Sequence, residues 1–306
     1  MSHGELDLSG VKPILLTGMP RSGTTWVGRI LAASGKVGFI NEPFNLSASP
    51  GSFRVPVDHW YTYVTLENEA HVLPSLAPAL TLQYPLAREL RRCRNRTDLL
   101  HVLRSRRAWV RGHRPLIKEP HAVFSSEWFA RRLESQIVVM IRNPFAVVSS
   151  WKRLGWTVDF DDLLDQPLLM RDWLAPFKRE LSDARSWGLV EQVALLWRVI
   201  YSVVADERYP RVYLLRHEDL SSDPLAEYAK LYDALDLGFD DAVASAVARS
   251  SSTENPAETS VEKPHETRLD SKANLENWKH RLTGSELRQI EDLTADVAAR
   301  YYPADA

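Results

Sequence analysis

The chain has 306 residues, with 38 lysines and arginines against 40 aspartates and glutamates, a formal net charge of −2. That balance gives no overall attraction to nucleic acid or anionic membrane, and 44% hydrophobic with 25% charged residues excludes collagen-like, wholly disordered and membrane-spanning classes. The single cysteine, Cys93, excludes an intramolecular disulfide and leaves any metal site to histidines and carboxylates, so a reducing cytoplasmic setting is expected.

Met1–Gly10 is polar and mildly acidic, without the basic flank and apolar centre of a secretory signal. No apolar run approaches the roughly 20 residues of a transmembrane helix. Lys12–Thr17 reads as a short buried strand, broken by Gly18 and Pro20 and followed by a helix over Thr25–Ala33. Val37–Ile40, Pro115–Ile117, Gln136–Ile141 and Val212–Leu215 read as four further strands, each leading into a loop or helix signal. This alternation predicts an α/β fold in three layers, a central, mainly parallel sheet with helices on both faces. Leu46–His113 is mostly helical in pattern, and Trp156–Trp187, rich in aromatics, Pro and Asp, reads as an irregular insertion over the sheet. Ser250–Asp270 reads as a loop and Ser285–Tyr301 as a closing helix. With no repeat and no low-complexity linker, one domain over residues 1–306 is expected, carrying the insertions at about 46–113 and 156–187.

The sharpest signal follows the first strand: Gly18-Met19-Pro20-Arg21-Ser22-Gly23-Thr24-Thr25-Trp26. Two glycines five apart, closing a strand and opening a helix, let successive backbone N–H groups point at one phosphate, and the helix N-terminus adds its dipole. An ATP-hydrolysing P-loop places Lys after the second glycine; here that position is Thr24, and the cation Arg21 lies within the loop. Trp26, two residues into the helix, can offer an aromatic face to a base.

Pro20-Arg21-Ser22-Gly23-Thr24-Thr25-Trp26 resembles the 5′-phosphosulfate loop of the sulfotransferases that use PAPS, 3′-phosphoadenosine-5′-phosphosulfate. The resemblance implies a P-loop-like sulfotransferase fold in which Arg21, Ser22, Gly23, Thr24 and Thr25 hold the phosphosulfate and Trp26 stacks on adenine. Ile141-Arg142-Asn143-Pro144, with Ser150 eight residues after Arg142, resembles the family's 3′-phosphate motif. Pro144 suits an early helical position, where its missing N–H would be unpaired anyway. Arg216-His217-Glu218-Asp219-Leu220 resembles the family's Tyr-Glu-Asp-Leu segment, with His217 where an adenine-contacting Tyr commonly sits. Arg268 to Lys279 resembles the segment that closes over the 3′-phosphate, but its Arg-Lys-Gly core is absent, leaving Arg268 and Lys272 as candidates.

Sulfuryl transfer to a hydroxyl needs a base for the proton and cations for charge gathering at the leaving group. Asn41-Glu42-Pro43 is similar to the Glu-Pro segment of the carbohydrate and tyrosyl-protein branches, and Lys118-Glu119-Pro120-His121 resembles the Lys-Thr-His of the cytosolic branch with His displaced by one. Glu42 ranks first as base, then His121, then Glu119, with Lys118 and Arg21 as the cations. No metal-ligand spacing occurs among the nine histidines, so no metal is expected. The expected co-substrate is PAPS, yielding adenosine 3′,5′-bisphosphate, and the partner a small-molecule, glycan or lipid hydroxyl. The competing readings are a P-loop kinase or nucleotide hydrolase and an inactive nucleotide-binding protein.

Arg88–Arg114 holds ten arginines and two acids, Glu89 and Asp98, a local net of +8 that leaves −10 for the remainder. A solvated or subunit-contacting face is the expectation, compatible with a homo-oligomer, and nucleic acid would want denser aromatics than Trp109 provides.

Overall fold

A computed structural model describes residues 10–47, 52–262 and 266–303, so the polar N-terminal stretch lies outside the described residues except for Gly10. In chain order the elements are β1 (Ile14–Gly18), α1 (Thr24–Ala33), β2 (Val37–Asn41), α2 (Leu73–Leu80), α3 (Leu86–Arg92), α4 (Arg96–Val110) and β3 (Arg114–Lys118). There follow α5 (Ser126–Leu133), β4 (Gln136–Ile141), α6 (Pro144–Leu154), α7 (Asp161–Leu164), α8 (Pro167–Leu169), α9 (Lys178–Asp183) and α10 (Leu189–Val204). The chain closes with β5 (Tyr213–Arg216), α11 (His217–Ser222), α12 (Pro224–Ala234), α13 (Asp241–Ser251) and α14 (Gly284–Tyr301).

The five strands pair in parallel in the order β2-β3-β1-β4-β5. Side chains alternate between two cores: Leu15, Ile137 and Val139 point to one, where α5, α6, α10 and α14 pack. Ile14, Leu16, Val138 and Met140 point to the other, beneath α1, α12 and α13. Near-continuous apolar strands are what burial on both faces demands. The order reverses about β1, with β3 on one side and β4 on the other, and that reversal opens a crevice at the carboxyl ends of the strands.

The stretch 156–187, expected to be irregular, forms the short helices α7 to α9, linked by a π turn at Met170–Leu174 and a 3-10 turn at Ala175–Phe177. Pro167 and Pro176 lack the N–H that would extend a preceding helix, so each opens a new turn instead. Residues 252–262 and 266–270 contain no regular element, as their few apolar residues suggest.

Candidate active site

The loop from β1 to α1 is fixed by what surrounds it. A Cβ on Gly18, whose φ is +135°, would sit 2.3 Å from the Met140 carbonyl oxygen, so only glycine fits beside β4. One on Gly23, φ +107°, would sit 2.8 Å from His217 Nδ1. Tyr201 from α10 braces the turn from below, accepting from the Met19 N–H at 3.3 Å and donating to the Met140 carbonyl at 2.8 Å. Arg21 itself takes a left-handed φ of +77°. Such strain in a non-glycine residue persists where the surroundings over-determine it, which is common at ligand sites.

A cavity of about 800 Å³ opens above this loop. Arg21, Gly23, Thr24, Thr25 and Trp26 line it, together with Glu42, His121, Arg142 and His217. A smaller recess adjoins it, walled by Arg21, Arg142, Ser150, Arg153 and Arg281. The carboxyl ends of all five strands and the chain's last quarter thus converge on one space.

In the recess, Arg21 donates from Nε to Ser150 Oγ at 2.9 Å, and Arg142 donates to the Arg21 carbonyl at 3.3 Å. Burial, then the neighbouring Arg142 and Arg153 charges, lower the Arg21 guanidinium to about 10 against the opposing pull of Glu258. Burial likewise lowers Arg142, whose Nε is buried without a hydrogen-bond partner. Arg153 reaches Glu258 at 2.9 Å and donates to the Thr259 carbonyl at 2.7 Å, and Arg281 also bonds the Glu258 carboxylate. An acidic side chain is therefore lodged among four arginines.

Trp26 is 8% exposed; its indole N–H donates to Ser250 Oγ at 2.8 Å, and its ring meets Tyr228 and His217 edge-on. His217 is buried with both ring nitrogens unpartnered, and burial, reinforced by Arg142 and Arg21, holds it neutral with a pKa well below the usual imidazole value. Ser221 Oγ, one turn further on, is also buried without a partner.

At the ends of β2 and β3 the carboxylates divide the work. Glu42, with a left-handed φ of +48°, bonds the Lys118 ammonium and accepts from Asn45 Nδ2 at 2.7 Å. Burial alone would raise its carboxyl, but Lys118 by charge and hydrogen bond, helped by Asn45 and His121, overrides this and holds it at about 2. Glu119 is fully buried, accepting from the Phe44 N–H at 2.8 Å and contacting His121 Nδ1 at 3.1 Å. A carboxylate only accepts, so that contact puts the proton on Nδ1 and leaves the lone pair on Nε2.

The structure thus brings most of the sequence-predicted residues to one cavity, with three standing behind its wall. Ser22 is fully buried with its hydroxyl unpartnered, and Lys118 and Glu119 lie beneath Glu42 and His121. Arg268 and Lys272 are exposed and line neither space; Thr267, Leu269, Ser271 and Asn274 of the same segment line the cavity, so the segment borders the site while these two side chains face solvent. Arg153 and Arg281 occupy the recess instead. Sequence reading passed them over; the basic run Lys279-His280-Arg281 was the available signal. It also missed Trp60 and Tyr61, which Asp162 holds over the cavity by accepting from their backbone N–H groups at 2.6 and 3.0 Å. Tyr61 packs edge-on at 5.2 Å from His121, and its hydroxyl is buried without a partner.

Unpartnered buried donors at Arg142, His217 and Ser221 and a glycine-lined anion cradle fit a nucleotide carrying more than one phosphate. A family profile described as "Sulfotransferase domain" matches residues 12–301. The chain belongs to that family, whose general activity is PAPS-dependent sulfuryl transfer, and it is accordingly a PAPS-dependent sulfotransferase. Similar solved structures include the sulfotransferase domain from the curacin biosynthetic pathway, 14% identical over 92% of this chain and 96% of that one, TM-score 0.47. Mouse sulfotransferase SULT7A1 complexed with PAP is 15% identical over 96% of this chain and 85% of that one, TM-score 0.44. Sulfotransferase STF9 from Mycobacterium avium is 13% identical over 96% and 77%, TM-score 0.43. No curated protein sequence matches the chain. Among the described residues no helix is long and apolar enough to cross a membrane, and no cluster of three or more potential metal ligands occurs.

Proposed function

We propose that the chain transfers sulfuryl from PAPS to the hydroxyl of an uncharged, apolar or aromatic acceptor, with His121 as the base. The supporting observation is that one cavity carries both an arginine-lined anion cradle and an imidazole oriented by a buried carboxylate. When bound, PAPS supplies the sulfuryl group and departs as adenosine 3′,5′-bisphosphate. The loop N–H groups with Thr24 and Thr25 hold the phosphosulfate end, and Arg142, Ser150 and Arg281 hold the 3′-phosphate. Trp26 and His217 bracket the adenine. Arg268 and Lys272 carry no part in this reading.

His121 accepts the acceptor's proton at Nε2, and Glu119 fixes the ring and stabilises the imidazolium that results. Glu42, held at about 2, is a weak base; its part is to keep the Lys118 ammonium aimed at the crevice until a leaving oxygen competes for it. The acceptor end of the cavity is walled by Trp60, Tyr61, Trp156 and Leu163, which favours apolar or aromatic bodies. Tyr61, whose ring packs on His121 and whose hydroxyl is buried without a partner, is assigned the bond to the acceptor oxygen.

The test pairs binding with turnover. Adenosine 3′,5′-bisphosphate should raise the melting temperature and ATP with Mg²⁺ should not, since only a ligand of the native state stabilises it. Labelled PAPS should then sulfate phenols or apolar alcohols in preference to anionic glycans. A larger shift with ATP and Mg²⁺ would restore the kinase or hydrolase reading.

A further inference from the structure

The sulfotransferase site uses none of the arginine-rich stretch 88–114: of its ten arginines, none lines the cavity or the recess. The structure shows what accompanies that charge. Leu99, Leu100, Leu103 and Val110 of α4 are 41–55% exposed, and Leu90 of α3 is 41% exposed. Leu99 and Leu103 are four apart, Leu100 and Leu103 three apart, and Leu103 and Val110 seven apart, so they form one stripe along the outer face of α4. The inner face buries Val102 and Trp109 against the rest of the protein. Arginines flank and interrupt the stripe, with Arg106 along one margin, Arg104 and Arg111 along the other, and Arg96 and Arg107 between the leucines.

These arginines are uncompensated. Glu89 is buried between Arg88 and Arg92, and the Asp98 side chain accepts from the Arg94 backbone N–H. Arg96, Arg104, Arg106, Arg107 and Arg111 are exposed and form no ion pair among the described residues. A solvated face explains arginines but not four exposed apolar side chains aligned between them. Folded proteins do not ordinarily line up such residues at the surface without a partner.

From this we infer that α4 is a docking surface for an anionic lipid bilayer. An interfacial helix needs an apolar stripe that sinks to the headgroup boundary and basic side chains that reach past it to anionic headgroups, and α4 supplies both. The stripe runs along one helix packed at the β2 edge of the sheet, and such a narrow surface suits a deformable interface better than a protein partner requiring matched shape. Nucleic acid is disfavoured because the groups between the arginines are leucines, which neither stack on bases nor bond their edges. The C-terminal end of α4 lies beside the start of β2, where a Cβ on Gly112 would meet the Val37 carbonyl carbon at 1.9 Å. Running back from there, α4 carries Leu99 and Leu100 toward the cavity end of the sheet.

The experiment is co-sedimentation of the full chain with vesicles of phosphatidylcholine alone, or mixed with about one third phosphatidylglycerol. The wild type should pellet with the mixed vesicles only, and high salt should release it. Each arginine near an anionic surface strengthens binding roughly fivefold, so Arg104→Glu with Arg107→Glu should weaken binding at least about 25-fold. Leu100→Glu with Leu103→Glu should weaken it at least about tenfold. Both pairs are exposed, and an unchanged melting shift with adenosine 3′,5′-bisphosphate shows that each variant is folded. The proposal is overturned if the wild type stays in the supernatant with mixed vesicles, or if neither pair of substitutions alters binding. It is equally overturned if the stripe instead holds two copies together, seen as a solution dimer that Leu100→Glu with Leu103→Glu dissociates while vesicles capture nothing.

Discussion

The two ends of the cavity are built by different routes. The nucleotide end rests on strand exits and the helices that follow them: Gly18 to Thr25 after β1 and Arg142 to Ser150 after β4. Each of these sits within ten residues of the strand that positions it, and parallel pairing sets their relative heights. The acceptor end is assembled from segments far apart in sequence, with Tyr61 bonded to Asp162 about a hundred residues on. Local chain geometry makes the anion cradle common to many sequences, whereas the acceptor wall depends on tertiary contacts peculiar to this one. Substitutions at the first end should therefore change affinity for the nucleotide, and at the second change turnover and acceptor choice.

The largest expected effect is on turnover. His121→Ala should lower kcat by about 10²–10⁴-fold while leaving the dissociation constant for adenosine 3′,5′-bisphosphate unchanged, by steady-state kinetics and titration calorimetry. If the near-isosteric Glu42→Gln is inactive and His121→Ala active, the proton goes to Glu42 instead.

Next comes the joint between the two ends. Glu42→Ala leaves the Lys118 ammonium buried and unpaired, at a cost of about 3–5 kcal/mol in denaturant unfolding. Adding Lys118→Met should recover most of that, because the uncompensated charge is then gone. The same pair fixes the acid limb of stability. The folded Glu42 value lies below the ordinary 4.5, so its contribution is present above that pH and is lost as pH falls toward about 2. In Glu42→Gln this part of the acid-induced loss should be missing.

A smaller effect tests the nucleotide end alone. Arg142→Ala should weaken adenosine 3′,5′-bisphosphate about tenfold or more and adenosine 5′-phosphate much less, since only the first carries the group assigned to the recess. Equal losses would move the 3′-phosphate elsewhere. Smaller again, Tyr61→Phe should raise KM for the acceptor by about three- to tenfold through one lost neutral hydrogen bond, with nucleotide binding unaffected.

The same division explains what could be read in the sequence. Apolar runs such as Ile14–Leu16 and Ile137–Ile141 mark buried strands because both faces of the sheet are covered, and the glycines at 18 and 23 have backbone requirements that composition cannot disguise. Arg142 and Ser150 are legible through their resemblance to the family's 3′-phosphate motif, whose eight-residue spacing runs from a strand end into the next helix. Glu119 reads as a candidate base, yet its burial and its bond to the Phe44 N–H depend on the return of β2 alongside β3. Arg281 and Glu258 meet because Arg153 holds the 259 region down, a contact across more than a hundred residues with no local pattern to announce it. The family resemblance put Arg268 and Lys272 near the 3′-phosphate, yet both side chains are exposed while Leu269 and Asn274 of the same segment line the recess.

The carboxylate of Glu258 gives the recess a further property. It is a counterion supplied by the chain itself, offset against Arg153 and Arg281 and felt by Arg21. A carboxylate already fixed by the fold contacts the arginines without paying the association entropy that a free anion pays, whatever the buffer contains. Free monovalent anions have little chance of displacing it, but a phosphate, with two charges and three acceptor oxygens, gains more from the arginines than one carboxylate does. Glu258→Gln should therefore tighten bisphosphate binding by about threefold and, more tellingly, make it sensitive to chloride and acetate in competition titrations. The loop that carries Glu258 acts in this way as an ion-exchange filter, keeping three arginines screened from stray salt until a ligand of sufficient charge arrives.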